Sequence, residues 1–164
     1  MAAKQSASAA STRASKIIKA PRAAVYRACI DPDAVAAWRV PDNMAARVHA
    51  FDAREGGGFR ISLTYADIAN RPRGKSSEDT DTFEGRFVEL IPDRRVVELI
   101  RFETNDAGLA GEMKITTSLA DVAGGTRMTL SFENIPPGIR AADNREGTRQ
   151  SLKRLAKLLE KERD

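Results

Sequence analysis

The chain has 164 residues, of which 27 are basic and 23 acidic, giving a formal net charge of +4. A chain of this length buries roughly 70% of its unfolded surface, so one domain can form a core without metal ions or disulfides. The single cysteine excludes an internal disulfide. The basic residues are dispersed along the chain, whereas nucleic-acid binding proteins usually cluster them on one face. We therefore expect no nucleic-acid partner.

No segment has the composition of an export signal or a membrane span. The first residues, MAAKQSASAASTR, contain no apolar stretch. No window approaches the ~20 apolar residues that cross a bilayer. The sequence therefore predicts a cytoplasmic protein without a membrane partner. Residues 1–12 are rich in Ala and Ser without periodicity, which predicts a disordered tail before a single domain over residues 13–164.

The first part of this domain predicts a strand, two short helices and a β-hairpin. Pro21 stands where a helix begins, because its fixed φ suits the first helical position. Asp31 followed by Pro32 is a second helix start. Alternating apolar and polar residues on both sides of the triple glycine at 56–58 predict a hairpin. The expected elements are a strand over 13–19, helices over 21–30 and 31–40, and a hairpin over 48–65.

The second part predicts four more strands and one long helix, over residues 80–91, 94–104, 112–119, 126–133 and 141–161. Apolar Met113 and Ile115 alternate with polar Lys114 and Thr116, which predicts an antiparallel sheet with one buried and one wet face. Over 80–91 the charged and apolar residues are mixed, which indicates a bulge or a partly polar cavity wall. Along the last helix one stripe is formed by Thr148, Leu152, Leu155 and Leu159.

Several short motifs occur in the order and spacing of a known family. They are Pro21-x-x-x-Val25-Tyr26-x-Ala28, Asp31-Pro32 through Trp38, His49-x-Phe51-Asp52-x-Arg54-x-Gly56-Gly57, Gly85-Arg86-Phe87-Val88-Glu89, Gly125-Thr126, and Asp143-Asn144 leading into Gly147. Over residues 14–160 the chain resembles the START-related SRPBCC superfamily. More closely, it resembles the bacterial family named after the C-terminal domain of the activator of the Hsp90 ATPase. The resemblance implies an α+β helix-grip fold, in which a curved antiparallel sheet wraps a long C-terminal helix and two short helices follow the first strand.

The resemblance also implies an internal cavity for a hydrophobic small molecule. From the alternation and the resemblance we expect a cavity of roughly 300–1,000 Å³. Its expected lining is Trp38, Ile61, Phe87, Phe102, Ile115, Leu130, Asn144, Thr148 and Leu152. Relatives often carry Gly-Trp where this chain has Gly147-Thr148. The loss of that aromatic residue would enlarge or polarise the pocket, and Thr148 would bring a hydrogen-bond donor and acceptor.

Three functions stay open from the sequence. A non-enzymatic binding protein is favoured over a cavity enzyme of the cyclase, aromatase or hydrolase type. The third is a stress protein that contacts a chaperone. The family name comes from a two-domain eukaryotic cochaperone, and from the length of this chain we expect only one of the two domains. The two first classes differ in whether titratable groups converge in the pocket. A homodimer is left open.

Few residues suggest catalysis or a bound cofactor. His49 has no cluster of ligands around it in the sequence, so we expect no metal site. Cys29 lies on the apolar side of its helix and is interpreted as a small buried residue. Asp143 and Glu146, three residues apart, are interpreted as a capping box of the last helix, with Asn144 as an alternative polar group in the cavity. No catalytic residue and no cofactor is predicted. The sequence leaves open whether a carboxylate of the strands, such as Glu84 or Glu98, faces the cavity and could act as an acid or base.

Overall fold

The structure, a computed structural model, describes residues 10–66, 76 and 79–162, without the side chains of residues 161 and 162. In chain order its elements are β1 (Ala10–Ile18), α1 (Arg22–Ile30), α2 (Pro32–Trp38), β2 (Met44–Phe51), β3 (Gly58–Tyr65), β4 (Thr80–Ile91), β5 (Arg95–Phe102), a 3₁₀ turn (Ala107–Leu109), β6 (Met113–Val122), β7 (Gly125–Ile135) and α3 (Ala141–Glu162).

The seven strands form one antiparallel sheet in the order β1-β7-β6-β5-β4-β3-β2. Only β1 leaves its place in the chain order, because it pairs with β7 at the far edge. The long helix α3 packs against the sheet together with α1 and α2, and one continuous apolar core lies between these layers. The predicted helix-grip fold is confirmed. No helix in the described part of the chain combines the length and apolar character needed to span a bilayer.

The first strand begins at Ala10, three residues before the expected start. Ala10 pairs with Ile135 and Ile18 with Thr126, so β1 runs along the full length of β7. Thr12 is buried and its hydroxyl donates to Asn144 Oδ1 at 2.6 Å. Residues 10–12 therefore belong to the sheet and not to a tail. The rest of the predicted tail, residues 1–9, lies outside the described residues.

The mixed pattern of β4 has its cause in a bulge. The pairing with β5 shifts between Phe87 and Glu89, so Val88 has no direct partner and is 47% exposed. The extra residue lets Phe87 remain buried while the strand continues toward Ile91. The bulge, one of the two interpretations left open for this segment, is therefore found here.

The β2–β3 turn folds onto this part of β4. The Gly56 amide donates to the Phe87 carbonyl at 2.8 Å, and the Phe87 amide donates to Gly57 at 2.9 Å. Gly56 has φ +84°, a conformation that side chains disfavour. A Cβ on Gly57 would overlap the Asp52 carbonyl oxygen. The triple glycine is thus required by the tight turn and not by a phosphate site.

Candidate functional site

A cavity of about 200 Å³ lies between α3 and the sheet. Its walls come from the inner face of the central strands, the end of α2 and the first half of α3. Most lining side chains are apolar: Trp38, Leu63, Phe83, Ile100, Phe102, Met113, Ile115, Leu130, Phe132 and Ile139. The polar or charged part of the lining comprises Arg39, Asp81, Asp143, Asn144, Thr148 and Ser151. The cavity is smaller than the expected lower limit of roughly 300 Å³.

Six of the nine expected residues lie on the wall of this cavity: Trp38, Phe102, Ile115, Leu130, Asn144 and Thr148. Trp38 is 2% exposed, and its indole Nε1 donates to the Ala28 carbonyl at 2.9 Å. This bond fixes the ring at the end of α2, where it serves both as core and as cavity wall. Phe102 stacks edge-on against Phe83, with ring centroids 6.1 Å apart.

The other three expected residues, Ile61, Phe87 and Leu152, do not line the cavity but lie in solid core. Phe87 packs against Phe51 and Phe59 at centroid distances of 5.5 and 5.1 Å. These three rings fill the space beneath their part of the sheet. Alternation places a residue on the inner face, but it does not show where that face is hollow.

A buried ion pair between Arg39 and Glu98 borders the cavity. Arg39 Nη1 donates to Glu98 Oε2 at 3.0 Å and Nη2 donates to Oε1 at 2.7 Å, which is a bidentate geometry. The side chain of Glu98 is 3% exposed and that of Arg39 19%. Burial opposes the charge on Arg39, but the carboxylate of Glu98 outweighs it and raises the pKa of Arg39. Of the two carboxylates that the sequence had left open, Glu98 is buried and Glu84 is exposed. Asp81, which the sequence did not single out, is also buried and lies on the cavity wall.

Glu98 could have been found from the sequence. Val96, Glu98 and Ile100 alternate along β5, and all three are buried. An acidic residue at an apolar position of a period-two pattern indicates a buried charge that needs a partner. Its partner Arg39 lies outside this pattern, just after α2, so the sequence offered no direct signal for it.

The start of α3 differs from the predicted capping box. The helix begins at Ala141, so Asp143 lies within its first turn and cannot be the cap residue. Glu146 pairs with Arg149 at 2.6 Å instead of reaching back along the chain. The capping-box prediction is wrong, and Asn144 takes the alternative position on the cavity wall.

The hydroxyl of Thr148 is already used as a donor. Its Oγ1 donates to the backbone carbonyl of Asn144 at 2.8 Å. Thr148 can therefore offer the cavity only acceptor lone pairs, not the donor and acceptor that the sequence suggested. Thr148 is 6% exposed and lies on the cavity wall.

A larger polar space, which we call the outer groove, adjoins the cavity. It measures about 680 Å³, and it shares Pro41, Asp81, Ile139, Asp143 and Gly147 with the cavity. Burial and the nearby Asp81 carboxylate raise the pKa of Tyr65 on its wall.

The single histidine and the single cysteine, residue types often used in catalysis, do not line the cavity. His49 is exposed on β2, with Nε2 2.8 Å from Ser62 Oγ. Cys29 is 5% exposed, and burial raises the pKa of its thiol to about 12. The thiol therefore stays protonated at neutral pH and is a poor nucleophile. Over residues 10–66, 76 and 79–162, no three His, Cys, Asp or Glu side chains are grouped as metal ligands.

Comparison with known proteins gives a family and a fold. The family model described as "Activator of Hsp90 ATPase homolog 1-like protein" matches residues 19–160. The structure of protein CV1439 from Chromobacterium violaceum is similar, with 35% sequence identity and a TM-score of 0.81, over 92% of this chain and 96% of that one. Among curated proteins, none matches the chain.

More distant structures have the same fold. Protein Mll3558 from Rhizobium loti is 25% identical with a TM-score of 0.69, over 91% of this chain and 96% of that one. Protein Ms6760 from Mycobacterium smegmatis is 15% identical with a TM-score of 0.71, over 91% of this chain and 90% of that one. The fold is thus retained where little sequence similarity remains.

Proposed function

Because the chain belongs to the Activator of Hsp90 ATPase homolog 1-like family of the SRPBCC superfamily, we propose that it binds a small hydrophobic molecule between α3 and the sheet. The observation that carries this proposal is the apolar cavity of about 200 Å³ beside Thr148. A dry apolar cavity of ~150 Å³ is known to hold benzene in an engineered protein. The ligand, or the part of it that enters the cavity, is therefore about the size of one substituted aromatic ring.

The lining suits such a molecule in two ways. Ring faces from Phe83 and Phe102 offer edge and face contacts to an aromatic guest. Most of the lining is apolar, so most of the surface of an apolar guest would lie against apolar side chains. For a fragment of about ten heavy atoms, affinities in the micromolar to millimolar range are expected. The cavity enzyme and the chaperone-interacting module stay predictions.

Filling the cavity tests the proposal. Titration of the protein with α-methylstyrene, followed by heteronuclear NMR, should give saturable shifts at Phe102 and Leu130. The Thr148→Trp variant places an indole in the same space and should weaken this binding at least tenfold, while costing little stability. Lys153→Trp adds the same ring on the exposed side of α3 and should leave affinity unchanged.

Two results would count against the proposal. Equal affinity in Thr148→Trp and in the unmodified protein would place the probe outside the cavity. A large loss of stability in Thr148→Trp, without the same loss in Lys153→Trp, would show that the space beside Thr148 is packed core, where added volume is strain.

A further inference from the structure

The charged group with the most unusual position on the cavity wall is Arg39. Its side chain lines the cavity, while Glu98, which holds it, lies behind the wall. A guanidinium has five N–H donors, and the bidentate contact uses two of them. Among the described residues, this side chain has no hydrogen-bond partner besides Glu98. Donors therefore remain at the boundary between the ion pair and the empty space.

The charge balance at this wall decides which ligand group can use these donors. Arg39 is neutralised by Glu98 through two short contacts. A carboxylate entering the cavity would lose its hydration and would meet no net positive charge at this pair. A neutral acceptor such as a carbonyl oxygen loses less hydration and still meets a charge-assisted donor.

We propose that the ligand of this cavity carries a neutral carbonyl-type acceptor that accepts a hydrogen bond from Arg39. This inference rests on the proposed function, and it adds the chemical class of the ligand. Arg39 is then a specificity-determining residue. Its guanidinium stabilises a bound carbonyl by donating a hydrogen bond to it. Glu98 positions the guanidinium and neutralises the charge that would otherwise attract anions.

Three probes of nearly the same shape separate these possibilities: α-methylstyrene, acetophenone and benzoate. They carry a methylene, a carbonyl oxygen and a carboxylate at the same position. A carbonyl is better hydrated than a methylene, so a cavity without a donor binds α-methylstyrene more tightly than acetophenone. With Arg39 as donor, acetophenone should bind about tenfold more tightly than α-methylstyrene. Benzoate should bind most weakly.

The matched variant removes the pair as a unit. Arg39→Met with Glu98→Leu leaves no unpaired charge in the core. It should still bind α-methylstyrene, and the order of the two neutral probes should reverse. The control is the double variant Arg60→Met with Glu103→Leu. It removes a bidentate pair of similar distances, 2.7 and 2.9 Å, from the exposed part of the sheet and should keep the original order.

A second measurement does not depend on any variant. Acetophenone should shift the side-chain ¹⁵N resonances of Arg39, and α-methylstyrene should shift them far less. The inference is overturned if the unmodified protein prefers α-methylstyrene or benzoate, or if the preference for acetophenone survives in the Arg39/Glu98 double variant. If α-methylstyrene binds in the cavity but the carbonyl preference is absent, the inference alone fails. If no probe binds, the proposed function fails as well.

Discussion

Breaking the Arg39–Glu98 pair from one side should destabilise the protein strongly. Arg39→Met leaves Glu98, whose side chain is only 3% exposed, without its partner. Removing one member of a buried pair typically costs about 3–5 kcal/mol, a large part of the ~5–15 kcal/mol that holds a domain folded. For a chain of this size the melting temperature should fall by roughly 6–20 °C. Glu98→Leu should cost less, because the Arg39 side chain, at 19% exposed, can be solvated more easily.

The assay is a double-mutant cycle by urea and thermal unfolding, followed by circular dichroism. The double variant Arg39→Met with Glu98→Leu should recover most of the stability that Arg39→Met loses, giving a coupling energy of about 2 kcal/mol or more. The same cycle at the exposed Arg60–Glu103 pair should show a much smaller coupling. Additive effects at Arg39 and Glu98 would refute the reasoning that this pair is held as a desolvated unit.

Two further predictions concern the core. Burial raises the pKa of Cys29 from 9.0 to about 12, so the native thiol should resist iodoacetamide at neutral pH. The protonated thiol should contribute fully to the free energy of unfolding below about pH 9. This contribution should be lost as the pH rises toward 12, because the thiol of the unfolded chain releases its proton first. In Cys29→Ala, the free energy of unfolding measured with urea should therefore fall less steeply over this pH range. Gly85→Ala should cost about 1–3 kcal/mol, since its Cβ would lie 2.6 Å from Phe59 Cζ. Gly147→Ala in α3, with Pro41 Cγ 4.0 Å away as its nearest neighbour, should be neutral or stabilising, and equal losses would contradict the packing at Gly85.

Local signals predicted most of the fold. Pro21 and Asp31 mark helix starts, the turn beside Gly56 joins two strands, and the alternation in β6 and β7 gives one buried face. The start of β1 at Ala10 was missed because the Ala/Ser-rich segment has no apolar periodicity. That strand is held by pairing with β7 and by the hydrogen bond of Thr12, which are long-range contacts that no local pattern reports.

The cavity was only partly predictable. The alternation along the strands and the family resemblance predict which residues face the interior. Phe102 and Thr148 were predicted in this way, and both line the cavity. Whether an inward residue borders empty space or solid core depends on how rings from distant strands meet, as they do around Phe87. The pairing of Arg39 with Glu98 joins the end of α2 to the middle of β5. In the sequence, the only sign of this contact is Glu98, an acidic residue at an apolar position of β5.

A crystal structure of the protein soaked with bromobenzene tests the central claim most directly. Bromine gives an anomalous signal that locates the probe without relying on the shape of weak density. The account predicts one bromine site between α3 and the sheet, in van der Waals contact with Phe102 and Leu130, and no such site in Thr148→Trp crystals. Bromine found only on the surface or in the outer groove, with the space beside Thr148 filled by protein side chains, would contradict it.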